Sequence, residues 1–266
     1  MTTHYAERMA IEIDGDGDAV LMLHGLGGTS NTWAALAPAF TRFKRIRPDL
    51  PGSGRSDRVE GTLSIARFVQ AALRALGLAG AERAHVVAHS MGTIVAVHLA
   101  AAHPGVVRSL ALFGPLLAPP EPARASIRAR GAKARAEGPA AMQEIADALV
   151  QAATSAASKS RRFAAVAFVR ESLMRQPADG YARSCDALAD AQPADVTRIA
   201  CPTLLVTGDE DSVAPPQAVR QMGERIAAGG AAVEVEVLRG CGHWTPLEMP
   251  DECSEILRRF YARRIA

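Results

Sequence analysis

The sequence predicts an α/β protein: a mostly parallel sheet of about eight strands, helices on both faces, and one inserted helical segment. Three observations carry this. Short β-branched, apolar runs alternate with helix-length amphipathic runs over residues 20–113 and again over 203–262. Gly, Pro and Asp clusters punctuate them. Between residues 115 and 193 that rhythm stops: a proline cluster opens onto alanine-rich stretches with no strand-like run. The chain therefore reads as a core in two parts, 1–114 and 194–266, with a helical lid at 115–193.

Each element has a local reason. Residues 9–14 alternate and end in Asp14-Gly15-Asp16-Gly17-Asp18, which predicts an exposed antiparallel edge strand and a solvated turn. Residues 20–23 read as a buried strand breaking into His24-Gly25-Leu26-Gly27-Gly28, a loop with backbone N–H groups free to point at a ligand. A helix over 33–40, a strand over 43–47 and an amphipathic helix over 63–76, ended by Gly77, follow. Residues 84–88 and 107–113 read as buried strands flanking an alanine-rich helix over 93–102. In the lid, 142–153 and 164–174 are helical. After it come strands at 203–207 and 233–238, each followed by a helix, at 216–227 and 251–262. Such a sheet carries its functional loops at the carboxyl ends of its strands.

Composition bounds the function. The 266 residues can bury one large core, and 48% are apolar. The net charge of +2, from 30 bases and 28 acids, points to neither nucleic acid nor an anionic membrane as partner. The first eight residues are polar and carry no secretory signal pattern, and no apolar run approaches the ~20 residues of a bilayer span. Cys185, Cys201, Cys241 and Cys253 lack metal or redox spacing and read as free thiols of a cytoplasmic protein. Residues 121–183 hold 11 Lys/Arg against 6 Asp/Glu, a local +5. That excess suits an anionic small-molecule substrate, although a solvated helix face accounts for it more simply.

Ala88-His89-Ser90-Met91-Gly92 stands between an apolar strand and an apolar helix. A turn that sharp needs small residues two before and two after the serine, and Ala88 and Gly92 supply them. Ser90 would then be exposed at the carboxyl end of the strand, beside a helix N-terminus. A serine needs a base, and the base needs a carboxylate to hold its tautomer. Asp211 follows the strand at 203–207, and His243, between glycine-rich neighbours, follows the strand at 233–238. Asp209 competes with Asp211 for the orienting role. The backbone N–H groups of Leu26 and Met91 would form an oxyanion hole. Cys241 is a second conceivable nucleophile, but no second histidine follows it, beyond His243, to act as its base. His24 would order the glycine loop, and His85, His89, His98 and His103 read as structural.

The order Ser90, Asp211, His243, with Asp49-Leu50-Pro51-Gly52-Ser53-Gly54-Arg55-Ser56 and Gly242-His243 followed by Glu248 and Pro250, resembles the α/β-hydrolase superfamily. The resemblance places the acid three residues after Gly208, at Asp211, and implies a serine hydrolase with catalytic Ser90, Asp211 and His243 and no cofactor or metal. Serine at the elbow, rather than aspartate, sets it apart from the family's haloalkane dehalogenases and epoxide hydrolases. Residues 177–182 and 185–191, running into Pro202-Thr203-Leu204, are similar to 3-oxoadipate enol-lactonases of aromatic catabolism. The chain departs from them at His24-Gly25-Leu26-Gly27, at Ala88-His89, and at Gln151-Ala152-Ala153, where they carry a lid tryptophan. The resemblance implies hydrolysis of an ester or lactone. C–C bond hydrolysis of ring-cleavage products, cofactor-free perhydrolase or haloperoxidase chemistry, and a non-enzymatic small-molecule receptor stay open beside it. Trp33 and Leu116 are expected near the substrate pocket.

Overall fold

A computed structural model describes residues 2–6, 8–56 and 60–263. In chain order the first half contains β1 (Thr2–Ala6), β2 (Met9–Asp14), β3 (Asp18–Leu23), a 3₁₀ helix (Ser30–Phe40), β4 (Phe43–Pro48), α1 (Ile65–Leu78), β5 (Ala84–His89), α2 (Met91–Ala102) and β6 (Val107–Phe113). Five helices follow without an intervening strand: α3 (Glu121–Glu137), α4 (Pro139–Ala153), α5 (Ala156–Arg161), α6 (Phe163–Met174) and α7 (Ala178–Ala189). The chain closes with a short 3₁₀ turn (Val196–Arg198), β7 (Thr203–Gly208), α8 (Pro216–Ala228), β8 (Val233–Leu238), α9 (Thr245–Glu248) and α10 (Pro250–Ala262). Among the described residues no helix is long and apolar enough to cross a membrane.

The eight strands form one sheet in the order β1-β2-β4-β3-β5-β6-β7-β8. β1 pairs antiparallel with β2, β2 antiparallel with β4, and all other pairs are parallel. The chain leaves β3 toward β4 on one side and then returns to place β5 on the other. The loops after β3 and β5 therefore diverge and leave a crevice at their carboxyl ends, where ligands bind in open α/β sheets.

Two apolar layers enclose the sheet. One joins α1, α2 and α8 to the buried sides of α3, α4, α6 and α7, and the other packs the 3₁₀ helix and α10 on the opposite face. β5 is buried at every position, and α2 is buried around almost its whole circumference, which explains why neither shows a polar face in the sequence.

The structure moves three predicted boundaries. Residues 9–14 form the second strand rather than the exposed edge, because Thr2–Ala6 pairs outside them. The segment at 33–40 lies in a 3₁₀ helix with Pro38 inside it, a residue with no N–H to donate to an α-helical ladder. The helix predicted to stop at Gly77 continues to Leu78; the left-handed residue that turns the chain is Gly80, with Ala81 N–H donating back to the Leu76 carbonyl at 2.9 Å.

Candidate active site

The elbow follows from β5 and α2 having to meet in one turn. Ser90 takes φ 51°, ψ −122°, a conformation that costs a non-glycine residue about 1–3 kcal/mol. The surroundings over-determine it: Ser90 N–H donates to the Phe113 carbonyl at 3.0 Å, and the Ser90 carbonyl accepts from Thr93 N–H at 2.8 Å and from the Thr93 hydroxyl at 2.6 Å. The Thr93 oxygen in turn accepts from Leu116 N–H at 2.9 Å, tying the elbow to the loop after β6. The turn brings α2 hard against the end of β3. A Cβ on Gly92 would fall 2.4 Å from the Leu23 carbonyl oxygen, so only glycine fits.

Ser90 Oγ lies 2.8 Å from His243 Nε2, and His243 Nδ1 lies 2.9 Å from Asp211 Oδ2. Asp211 is almost fully buried; burial opposes its ionisation, but His243 and the hydrogen bonds from His243, Ala214 and Val213 outweigh that and hold its pKa below the ordinary value. An ionised carboxylate only accepts. His243 therefore carries its proton on Nδ1, leaving Nε2 to accept from the Ser90 hydroxyl. The other carboxylate oxygen of Asp211 accepts from Val213 and Ala214 N–H, both at 2.8 Å, and the Thr207 hydroxyl reaches Oδ2 at 3.2 Å. Asp209 is not in this chain. Its carboxylate accepts from Gly240 and Cys241 N–H and shapes the loop that carries His243.

The glycine loop after β3 sits against the elbow so closely that a Cβ on Gly25 would lie 2.8 Å from Ser90 Cβ. His24 holds it: Nδ1–H donates to the Gly25 carbonyl at 2.8 Å while Nε2 accepts from Leu50 N–H at 2.8 Å, and burial lowers the pKa of the ring. Asp49 braces the same loop from below by accepting from Ser30 N–H and from both the backbone and side chain of Arg55. The N–H groups of Leu26 and Met91 enter none of the turn, loop or cap hydrogen bonds among the described residues.

These groups open into a cavity of about 270 Å³ lined by Leu26, Ser90, Leu116, Val213, His243 and Trp244 from the sheet side and by α3 and α4 from the other. Larger surface hollows, of about 480 and 510 Å³, lie away from Ser90. Leu116 lines the cavity as expected from the sequence. Trp33 does not: it is buried in the opposite apolar layer, edge-on to Phe113 at 6.3 Å.

A family model described as the alpha/beta hydrolase fold matches residues 18–250. The chain belongs to that family. The enol-lactonase of Burkholderia xenovorans LB400 has a similar structure, with TM-score 0.87 and 24% identity over 98% of this chain and 100% of that one. A malate-bound thermophilic esterase of Thermogutta terrifontis also gives TM-score 0.87 at 24% identity, over 96% of this chain and 93% of that one. At such identities the likeness is one of fold. By sequence, the 2-hydroxymuconate semialdehyde hydrolase of Pseudomonas putida is 27% identical over 263 residues, 96% of this chain and 91% of that protein. An uncharacterised protein of Mycobacterium tuberculosis is 37% identical over 111 residues, 41% of this chain, which spans only 33% of that relative's length.

In this α/β-hydrolase the helices between β6 and β7 are bonded directly to the loops that carry the site. His243 N–H donates to the Ala153 carbonyl at the end of α4. The buried Glu248 accepts from Ser155, Gly242 and Trp244 N–H, and Glu210 accepts from Ala156 N–H. At the other end Gln176 and Ser172 donate to the Gly27 carbonyl. Sequence patterning could not find these contacts, since each joins residues 90 or more positions apart, apart from those Glu248 makes within its own loop, or 54 in the case of Glu210.

The remaining nucleophile and base candidates separate cleanly. Burial pushes the Cys241 thiol pKa up, which keeps it protonated. His89 lies between the His243 and Trp244 rings, each 5.1 Å away, and donates from Nε2 to the His243 carbonyl. Burial, with His243 adding to it, lowers its pKa to about 3, so it packs as a neutral ring. His85 faces Ser109 at the far end of β5, and His98 faces the Gln192 carbonyl. Among the described residues no group of three or more His, Cys, Asp or Glu is placed to hold a metal ion.

Proposed function

We propose that this chain is a serine hydrolase of carboxylic esters or lactones, with Ser90 as nucleophile, His243 as general base and acid, and Asp211 as the group that orients His243. The observation that carries this is the unbroken hydrogen-bonded chain from Asp211 through His243 to Ser90, ending in a cavity between the glycine loop and the lid helices. Ser90 Oγ attacks the carbonyl carbon as its proton passes to His243 Nε2. The oxyanion forms against the N–H groups of Leu26 and Met91. Collapse breaks the C–O bond, and His243 returns the proton to the leaving oxygen. Water then attacks the acyl-enzyme, giving its proton to His243, and Ser90 leaves with that proton restored. In a lactone the leaving oxygen stays tethered, and one open-chain acid results. Residues 115–193 act as the lid over this cavity.

The near full-length likeness to a 2-hydroxymuconate semialdehyde hydrolase supports a second reading, hydrolysis of a C–C bond in a vinylogous diketone. Turnover rates on an aryl ester, an enol-lactone and such a diketone separate the two: the ester or lactone is expected to be fastest, and a diketone hydrolysed as fast or faster overturns the first reading. Ser90→Ala is expected to abolish ester turnover and labelling by a fluorophosphonate. Full esterase activity in Ser90→Ala overturns both readings.

A further inference from the structure

Of the 11 Lys and Arg in residues 121–183, six form ion pairs. On α3, Arg124 pairs with Glu121, Arg128 with Asp190, Lys133 with Glu144, and Arg135 with Asp186; on α6 and beyond, Arg170 pairs with Asp147 and Arg175 with Glu171. These pairs lie largely on the solvent side and neutralise one another. Arg130 is different. It belongs to the α3 face made by Ala123, Ser126, Ile127 and Arg130, at spacings of three, four and seven, and that face lines the cavity containing Ser90.

Arg130 meets two neutral polar groups on α7. Its guanidinium lies beside the Tyr181 hydroxyl and the Cys185 thiol of α7, and burial is the main cause that raises both of their pKa values, Cys185 to about 11. No carboxylate among the described residues pairs with it, and its Nε–H is buried with no hydrogen-bond acceptor. No other Lys or Arg lines this cavity. A half-buried guanidinium facing an apolar cavity, with its Nε–H buried and without an acceptor, is a poor way to stabilise a fold, because a buried polar group requires a partner. It is a good way to hold a planar anion, which its forked donors engage in two bonds at once.

We propose that Arg130 binds a carboxylate of the substrate, so that the ester or lactone cleaved at Ser90 carries a second, ionised acid group reaching the α3 side of the cavity. The inference rests on the proposed hydrolase reading for its chemistry, while its binding component does not. The test uses 4-nitrophenyl monoesters of succinate, glutarate and adipate against neutral 4-nitrophenyl esters of monocarboxylic acids of equal chain length. In the wild-type protein the ratio of kcat/KM, anionic over neutral, is expected to exceed one for at least one chain length. In Arg130→Gln that ratio is expected to fall by about 10- to 100-fold, the worth of a charge-assisted pair, chiefly through KM; Arg130→Lys recovers part of it. Glutarate binding by titration calorimetry to the wild type and to Arg130→Gln provides a readout independent of turnover. If no ester is hydrolysed but glutarate binding is lost in Arg130→Gln and partly kept in Arg130→Lys, the hydrolase reading fails and the carboxylate site stands. An unchanged ratio in either variant, or equal glutarate affinity with and without Arg130, overturns the proposal.

Discussion

Asp211→Asn tests the proposed chemistry most sharply, because the hydrogen bonds around the carboxylate dictate how the amide must sit. The carboxylate oxygen away from His243 accepts two backbone N–H groups, from Val213 and Ala214, at 2.8 Å each. Turning an NH₂ toward those donors leaves both N–H groups without an acceptor, and the buried one, Ala214, alone costs about 1–3 kcal/mol. Turning it toward His243 instead costs one mismatch, which the imidazole relieves by moving its proton from Nδ1 to Nε2. The second arrangement wins, and it places an N–H donor where Ser90 needs an acceptor. The structure stays folded while the base presents the wrong tautomer, and a change of that kind lowers kcat by on the order of 10⁴, or about 5 kcal/mol of transition-state stabilisation. The assay is kcat on an aryl ester from pH 6 to 9, with circular dichroism and thermal unfolding showing that the fold persists. A loss of less than tenfold in a well-folded Asp211→Asn refutes the role given to Asp211.

Two further outcomes concern stability. His85 is buried between Phe43 and Tyr261, and burial lowers its pKa from 6.5 to about 4. Between those values the unfolded chain binds the extra proton, so stability contributed by the neutral ring is full above pH 6.5 and is lost as pH falls toward 4. The difference between pH 7 and pH 4.5 amounts to about 2 kcal/mol. His85→Phe keeps the ring packing and is expected to lose about that much less on acidification in urea unfolding; an identical pH slope in wild type and variant contradicts the assignment. Glu248→Gln leaves one of three backbone donors facing an amide NH₂, which should lower stability by about 1–3 kcal/mol and raise KM through a looser His243 loop. Unchanged thermal unfolding together with unchanged kinetics shows that Glu248 does not hold that loop.

The alternation of buried strands and helices, the helical insertion, and the positions of Ser90, Asp211 and His243 on carboxyl-end loops were all legible from one-dimensional pattern. Strand and helix periodicities, and the small residues a sharp turn requires, are local properties of the chain. The choice between Asp211 and Asp209 was not local in this sense. Both lie on one loop, and only the fold of the Gly240–Gly242 segment decides that Asp209 meets backbone N–H groups while Asp211 meets His243. Trp33 shows the same limit: a large aromatic beside a glycine loop suggests a pocket, yet the 3₁₀ helix turns it to the opposite face of the sheet. The positive charge of residues 121–183 was visible as a sum but not as an arrangement. Pairing across α3, α4, α6 and α7 engages six of the 11 bases, and the rotation of α3 about its axis leaves Arg130 facing the cavity. Which residue types the chain places near each turn follows from its order; which of them face one another depends on contacts between segments far apart in that order, and those exist only once the sheet and the helices between β6 and β7 have packed.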